Sequence, residues 1–373
     1  MKGQRWKQTL FAVGISVAVF MYLVLAANYA PMIFMSFSKK IHPLGYANLP
    51  SDNDVTSHYY EEIESLKPPP KTVILWTTWR SGSTYLGELL ANAVHDTFYS
   101  TEPLHYWRVK ILHENNTETN LARAFLHQLL YCRVSRHFQT QIDYMSRQDF
   151  YMRWNTFFSR RCKPMRLCGR RKFVNHMCRR AHIHVVKVLR LSLKWAWSLL
   201  EDNGLNLKII YVARDPRAVL LSRDRVGWCI SDTCRNPDVV CSLLEEDIKQ
   251  AEKMAQSFPE KFKFMQYEKI NQNPEGSLRN IMSFLNMSTS ESQLRLLSPA
   301  STNPDSLYST RKDPRVQSAR WRESASYQTI RTIQKSCANP IATMGLQMFS
   351  SKEELRNHSI PLLINETFVV PLH

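Results

Sequence analysis

The sequence predicts an α/β protein with three layers, in which helices cover both faces of a central parallel sheet. Apolar runs of strand length alternate with segments of helical spacing, as in residues 72–77 (TVILWT) followed by residues 83–94. Repeated strand, turn and helix units typically build such a sheet. With 373 residues, of which 44% are apolar, the chain can form one large domain with a sizeable core.

Further buried strands are expected at residues 184–189, 207–213 and 262–267, which are short and apolar. Helices are expected at residues 192–203, 215–225 and 274–285. Another should begin at Asn236-Pro237, because asparagine caps helices and proline fits their first position. Polar residues that follow the strands should meet at one edge of the sheet, where ligands bind in such folds.

The N-terminal residues predict a membrane anchor. Lys2, Arg5 and Lys7 precede an uncharged segment, and its apolar part, residues 10–27, would span about 27 Å as a helix. The basic side should stay cytoplasmic. We interpret residues 1–9 as a cytoplasmic tail, 10–37 as a signal-anchor transmembrane helix, 38–71 as a stem and 72–373 as a luminal domain. The alternative for the apolar segment is a cleaved signal peptide.

The cysteines and acceptor sequons agree with a luminal domain. Eight cysteines suit an oxidising compartment, and the cluster Cys229, Cys234 and Cys241 is expected to contain a disulfide. Four N-glycosylation sequons are present, at Asn115, Asn286, Asn357 and Asn365.

The chain is strongly basic, with 49 Lys and Arg against 32 Asp and Glu and a formal net charge of +17. Residues 123–190 contain 16 of these cations and two acids, Asp143 and Asp149. A solvated basic face is one interpretation, and a surface for a polyanion is the other. Because the predicted topology excludes nucleic acid, the expected polyanion is an acidic glycan such as a glycosaminoglycan.

Two segments after predicted strands indicate anion sites. The first contains a glycine, several hydroxyls, an arginine and a helix start, which together favour a phosphate, and it lacks the spacing and the lysine of a nucleoside triphosphatase P-loop. In the second, Arg214 and Ser222 can converge on another phosphate, while Asp215 is expected to cap the helix. The candidate residues are Thr78, Trp79, Arg80, Ser81, Gly82, Ser83, Thr84, Arg214, Asp215, Pro216, Arg217 and Ser222.

These segments resemble motifs of a known family. TWRSGST (residues 78–84) resembles the 5′-phosphosulfate loop of the sulfotransferases, and RDPRAVLLS (214–222) resembles their 3′-phosphate motif. Arg80, in place of the lysine of cytosolic members, and YSTEPL (99–104) are similar to the Golgi Gal/GalNAc/GlcNAc 6-O-sulfotransferase branch. Arg311, Trp321-Arg322 and Cys337 are similar to its C-terminal segment. The resemblance covers residues 72 to about 348 and is loose over 115–182.

The resemblance implies the P-loop-like sulfotransferase fold, 3′-phosphoadenylyl sulfate (PAPS) as donor, a sugar 6-hydroxyl as acceptor and a type II Golgi location. Trp321 and Arg322 join the candidate donor-binding residues. Arg80 is expected to stabilise charge on the departing phosphate, and no metal is expected, because no triphosphate must be neutralised.

Glu102 is the favoured general base and His105 the alternative, although Glu102 could instead pair with an arginine. A non-catalytic glycan-binding protein with the same fold is the alternative function.

Overall fold

A computed structural model describes residues 68–298 and 317–364. The predicted tail and anchor, almost all of the stem, Arg311 and Asn365 lie outside the described residues. Within these two ranges, no helix combines the length and the apolar character that a membrane crossing requires.

The centre of the fold is a sheet of five parallel strands in the order β2-β3-β1-β4-β5. The strands are β1 (Lys71–Thr77), β2 (Thr97–Thr101), β3 (Ile183–Val188), β4 (Leu207–Ala213) and β5 (Phe262–Gln266). The predicted parallel sheet is therefore confirmed, and the ends of β1, β3, β4 and β5 lie within one residue of those expected. β1 lies between β3 and β4, where the strand order reverses, and such a position creates a crevice at the carboxyl ends of the strands.

Helices surround this sheet. They are α1 (Ser83–Ala91), α2 (Thr117–Leu130), α3 (Gln139–Ser146), α4 (Asp149–Trp154), α5 (Thr156–Cys162), α6 (Arg171–Arg180), α7 (Trp197–Leu200), α8 (Pro216–Asp224), α9 (Asp232–Arg235), α10 (Pro237–Ser257), α11 (Tyr267–Gln272), α12 (Pro274–Phe284), α13 (Glu291–Leu297), α14 (Trp321–Ser324), α15 (Tyr327–Ser336), α16 (Ala338–Thr343) and α17 (Lys352–Arg356). Short 3₁₀ segments occupy Pro103–Trp107, Arg136–Phe138 and Leu193–Ala196. The expected helix at residues 192–203 is thus a 3₁₀ turn followed by α7.

Both faces of the sheet are covered, as predicted. Alternate residues of β1 point to opposite faces, as in any strand. Val73 and Leu75 belong to an apolar cluster that includes residues of α1 and α12, whereas Ile74 and Trp76 belong to the larger cluster with α2 and α10. All four side chains are at most 1% exposed, so the sheet is the middle one of three layers.

Four disulfides join all eight cysteines, which lie in the described ranges. The pairs are Cys132–Cys178, Cys162–Cys168, Cys229–Cys234 and Cys241–Cys337. The expectation of a bridge within the cluster 229–241 is confirmed by Cys229–Cys234.

Candidate functional site

A cavity of about 890 Å³ opens at the carboxyl ends of the strands. Its lining includes ten of the residues singled out in the sequence, Trp79, Arg80, Gly82, Ser83, Thr84, Glu102, His105, Arg214, Ser222 and Trp321. Seven cations line it, Arg80, Arg153, Lys187, Arg190, Arg214, Arg225 and Arg320, against two acids of the described chain, Glu102 and Glu323. The cavity is therefore suited to an anionic ligand.

The loop between β1 and α1 has an unusual backbone. Arg80 and Gly82 have φ angles of 67° and 87°, in the left-handed region. A side chain at Gly82 would collide with the ring of Tyr267, so glycine is required there for packing as well as for conformation. Gly82 caps α1 without a side-chain hydrogen bond. The amide groups of the first turn of α1 therefore have no side-chain cap, which suits an anion at this end of the helix.

Arg223 supports this loop from behind. Its buried guanidinium donates to the carbonyl oxygen of Trp79 from Nε (3.1 Å) and Nη2 (3.0 Å), and from Nη2 to Thr78 Oγ1 (2.9 Å). Its Nη1 donates to the carbonyl oxygen of Cys234 at 2.8 Å. Thr78 and Ser81, whose hydroxyls are 3.2 Å apart, do not line the large cavity. Thr78 and Ser81 therefore lie on the side of the loop that faces Arg223, away from the large cavity.

The two predicted anion segments meet in this cavity. Arg80 Nε donates to Ser222 Oγ at 2.9 Å, and Arg214 Nη1 donates to the carbonyl oxygen of Arg80 at 2.8 Å. The guanidinium of Arg214 also lies over the ring of Tyr267, 4.3 Å from its centroid. The segments therefore form one continuous cationic wall.

Asp215, Pro216 and Arg217 follow Arg214 but do not line the cavity. Asp215 accepts the backbone N–H of Arg217 at 2.9 Å and so caps α8, as expected, while Pro216 takes the first helical position. The Arg217 guanidinium is buried, where it pairs with Asp215 at 2.9 Å and donates to Gln334 at 2.9 Å. These three residues therefore hold α8 in place.

Trp321 and Arg322 are neighbours with different surroundings. Trp321 lines the cavity. Arg322 is buried and donates to four carbonyl oxygens of the C-terminal segment, those of Glu354, Leu355, Asn357 and Ile360. Arg322 therefore organises that segment and does not contribute to the cavity wall.

Glu102 follows β2 and lies between two cations. Its carboxylate is 3.1 Å from Lys187 Nζ and 2.9 Å from Arg190 Nη1. Burial alone would raise the pKa of Glu102, but the charges of Lys187 and Arg190 outweigh that effect and lower its pKa to about 2. Lys187 Nζ is also 3.4 Å from Thr84 Oγ1. Lys187 therefore connects the predicted base with the loop at the start of α1.

His105 lies on the same wall of the cavity. Its Nδ1 is 2.9 Å from the hydroxyl of Tyr144, and its ring packs against Phe150 with centroids 5.0 Å apart. Burial, and secondarily the charge of Arg190, lowers the pKa of His105. The imidazole is therefore mainly neutral at pH 7 and could also accept a proton.

Four donor atoms in residues of the cavity wall are buried without a hydrogen-bond partner in the described chain. They are Trp79 Nε1, Tyr85 Oη, Arg214 Nε and Trp321 Nε1. An unsatisfied buried donor costs roughly 1–3 kcal/mol. A ligand rich in phosphate and other acceptor oxygens would satisfy such donors.

Several residues of this site were not predicted from the sequence, among them Lys187, Arg190, Arg223 and Tyr267. Lys187 was visible as the one charged residue in the apolar run HVVKVL. A lysine near the carboxyl end of a buried strand is a signal for a functional role, because it needs an anionic partner. Arg223 offered no such signal, since it directly follows Ser222 in an ordinary amphipathic helix.

The sequence of this chain matches a family of known proteins. The profile of the sulfotransferase domain family matches residues 70–338. Carbohydrate sulfotransferase 6 of Homo sapiens is 25% identical over 351 residues, covering 78% of this chain and 85% of that protein. Carbohydrate sulfotransferase 4 of Mus musculus is 23% identical over 356 residues, covering 83% and 90%. A structure of retinol dehydratase in a complex with retinol and PAP aligns with 15% identity and a TM-score of 0.38, covering 78% of this chain and 88% of that chain.

Proposed function

The chain belongs to the sulfotransferase domain family, and from this premise we propose that it transfers the sulfuryl group of PAPS to a hydroxyl group of a carbohydrate. The observation that carries the proposal is the meeting of Arg80, Arg214 and Ser222 beside the start of α1. The printed names of its relatives favour a carbohydrate acceptor. The 6-hydroxyl of galactose, N-acetylgalactosamine or N-acetylglucosamine, and a Golgi location, are proposed from the motif resemblance.

The donor would be held by the loop at the start of α1 and by the cationic wall. The loop amides and Arg80 suit its 5′ end, and Arg214 and Ser222 suit its 3′-phosphate. Trp79, Arg214 and Trp321 line the same cavity and could contact the nucleotide. Asp215, Arg217 and Arg322 are left out of the proposed set because their side chains are buried in other contacts.

PAPS supplies the sulfuryl group together with a phosphate leaving group. Negative charge on that leaving group needs preorganised positive charge nearby. Arg80 lies in the loop before α1 and lines the cavity. Lys187 Nζ is 3.4 Å from Thr84 Oγ1 in the first turn of α1. These two side chains are proposed to stabilise the developing charge.

We propose Glu102 as the base that accepts the proton of the attacking hydroxyl. A carboxylate with a pKa of about 2 is a weak base, but it is ionised at every physiological pH. In a loose transition state the hydroxyl becomes strongly acidic only as the new bond forms. A weak base that is always ionised is therefore sufficient, and Lys187 and Arg190 hold it in place.

An acceptor panel tests this function. The full chain is incubated with ³⁵S-labelled PAPS and desulfated chondroitin, desulfated keratan or N-glycans, beside Arg80→Ala and a matched surface variant, Arg279→Ala. Transfer to at least one glycan that depends on Arg80 and not on Arg279 would support the proposal. Glycan binding without any transfer would instead support a non-catalytic glycan-binding protein.

A further inference from the structure

We propose that an exposed cluster of cations beside the cavity binds an acidic glycan chain away from the reaction centre. The cluster, called here the basic ridge, consists of Arg153 in α4, Arg160 and Arg161 in α5, and Lys163 and Arg166 in the following loop; all five are exposed. The inference rests on the proposed function in one respect, since it treats the bound chain as the acceptor.

The charge of the basic ridge is largely uncompensated. Residues 153–166 contain the five cations of the ridge and no Asp or Glu. Within the described chain, the ridge forms one ion pair, between Arg161 and the half-exposed Asp96 at 3.7 Å. Of the acids close in sequence, Asp143 is already bound by Gln139 at 3.0 Å, and the exposed Asp149 lies four residues before Arg153 in α4. The ridge is therefore a strongly positive surface and not a balanced network of ion pairs.

The loop that carries Lys163 and Arg166 is held in one conformation. The Cys162–Cys168 disulfide closes it. Inside it, the N–H of Arg166 donates to the carbonyl oxygen of Lys163 at 3.1 Å. Directly after it, Gln139 Nε2 donates to the carbonyl oxygen of Gly169 at 2.7 Å. A surface that is already ordered loses less entropy on binding than a flexible one. A closed and cationic loop is thus better suited to binding than a free basic segment.

The basic ridge begins at the cavity, because Arg153 belongs to the ridge and also lines the cavity. Phe150, Arg153 and Trp154 of α4 line the cavity, and α5 begins after Asn155 alone. The seven residues of α5 span about 10 Å and lead from the rim toward the amino end of β2, where Arg161 pairs with Asp96. A polymer whose reacting sugar occupies the cavity could therefore also contact the ridge. This arrangement favours a glycan chain over the headgroups of a membrane.

The composition of the ridge indicates the charge of its ligand. Four of the five residues are arginines, and guanidinium groups form forked hydrogen bonds with carboxylates and sulfates. A chain with an acidic group in every repeat would engage several of these groups together. Chondroitin keeps its uronic carboxylates after desulfation, whereas desulfated keratan is neutral. Comparing the two polymers therefore shows whether binding depends on the negative charge of the glycan.

The test uses the full chain and measures affinity for immobilised desulfated chondroitin at increasing salt. A ridge variant, Arg160→Gln/Lys163→Gln/Arg166→Gln, is compared with a matched variant that removes the same charge elsewhere, Lys249→Gln/Lys253→Gln/Arg279→Gln. Three exposed charge contacts correspond to a loss of affinity of about tenfold. We expect that loss, and a weaker salt dependence, in the ridge variant alone, with sulfuryl transfer to desulfated keratan unchanged in both.

Equal chondroitin affinity of the two variants would overturn the inference. A ridge variant that keeps chondroitin binding but loses binding to vesicles of anionic phospholipid would overturn it as well and would assign the surface to a membrane. The binding measurement does not require turnover. Failure of sulfuryl transfer by the unmodified chain would therefore count against the proposed function alone.

Discussion

Arg80 Nε donates a hydrogen bond to the Ser222 hydroxyl at 2.9 Å across 142 residues of sequence. This bond joins the loop after β1 to α8, which follows β4, and β1 and β4 are neighbours in the sheet. Arg214 strengthens the connection through the carbonyl oxygen of Arg80. The two segments that resemble separate phosphate motifs therefore behave structurally as one unit, and changes in either should affect donor use.

Replacement of Arg80 by alanine should lower kcat about 10²- to 10³-fold, because loss of one preorganised donor to developing charge typically has that effect. Arg80→Lys should recover part of the rate, since it keeps the charge but not the fork. The measurement is steady-state transfer from labelled PAPS at saturating acceptor. A decrease of less than about threefold in Arg80→Ala would show that Arg80 does not act on the leaving group.

Arg223 is a positioning residue, and its replacement by lysine should weaken donor binding. Lysine cannot bond the carbonyl oxygens of Trp79 and Cys234 simultaneously as Arg223 does. Loss of charged hydrogen bonds worth roughly 1.5–3 kcal/mol corresponds to a tenfold or larger rise in the KM for PAPS. The KM for the acceptor should change little, and the exposed Arg235→Lys serves as the matched control.

A purely structural role for Arg223 predicts a different pattern. In that case Arg223→Lys would lower the thermal unfolding midpoint and the fraction of active enzyme, while both KM values stayed the same. The ratio of the KM for PAPS to the KM for the acceptor therefore distinguishes a positioning role of Arg223 from a purely structural one.

The pH dependence of kcat/KM should distinguish Glu102 from His105. The pKa of Glu102 is lowered to about 2, so its carboxylate stays ionised between pH 5 and 8 and imposes no fall in rate on the acid side. If His105 were the base, the rate would fall on the acid side as the pH drops below its pKa, which burial lowers from the usual histidine value of about 6.5. Transfer that survives in Glu102→Gln and is lost in His105→Asn would contradict our assignment.

The cations beside Glu102 provide a second test of the same assignment. Arg190→Gln removes a positive charge 2.9 Å from the carboxylate and should raise the pKa of Glu102. A fall in kcat/KM should then appear at a higher pH than in the unmodified chain. An unchanged profile with a uniformly lower rate would mean that Arg190 acts on something other than the proton acceptor.

Chelation of divalent metals should leave the activity intact. The charge on a departing phosphate can be met by Arg80 and Lys187, without the metal that triphosphates require. Of the described residues, Cys132, Cys178 and His184 are grouped closely enough to resemble a metal site, but both cysteines are in one disulfide. Incubation with about 1 mM EDTA before the assay checks this point, with added Mg²⁺ as the control; a loss that Mg²⁺ restores would show that the mechanism needs a metal.

The fold was largely predictable because its strands are short apolar runs with clear ends. β4 begins and ends where the sequence indicates, and β1 differs by one residue. The neighbours of Glu102 could not be predicted in the same way. They depend on the pairing of β2 with β3, which sets Thr101 opposite Lys187, and strand order across a sheet is decided by tertiary packing. The helices of residues 115–182 were missed because short helices separated by polar residues give no sustained period.

The roles of the arginines in the site could not be predicted from the sequence either. Arg214, Arg217 and Arg322 all lie in segments that resemble donor motifs, and nothing in their residue type separates them. Burial separates them: Arg217 and Arg322 are at most 2% exposed and have several buried acceptors, whereas Arg214 lines the cavity. A sequence motif therefore identified the region of the site but not the direction in which each side chain points.

We propose above all that this chain transfers the sulfuryl group of PAPS to a carbohydrate. Its most direct test is a single-turnover reaction of the full chain with ³⁵S-labelled PAPS and a desulfated glycan, in which the label is followed from donor to acceptor. We expect the label to appear in the glycan with the unmodified chain and to be greatly delayed in Arg80→Ala. Label that remains in the donor with every glycan tested, while the folded chain still binds PAPS, would contradict it.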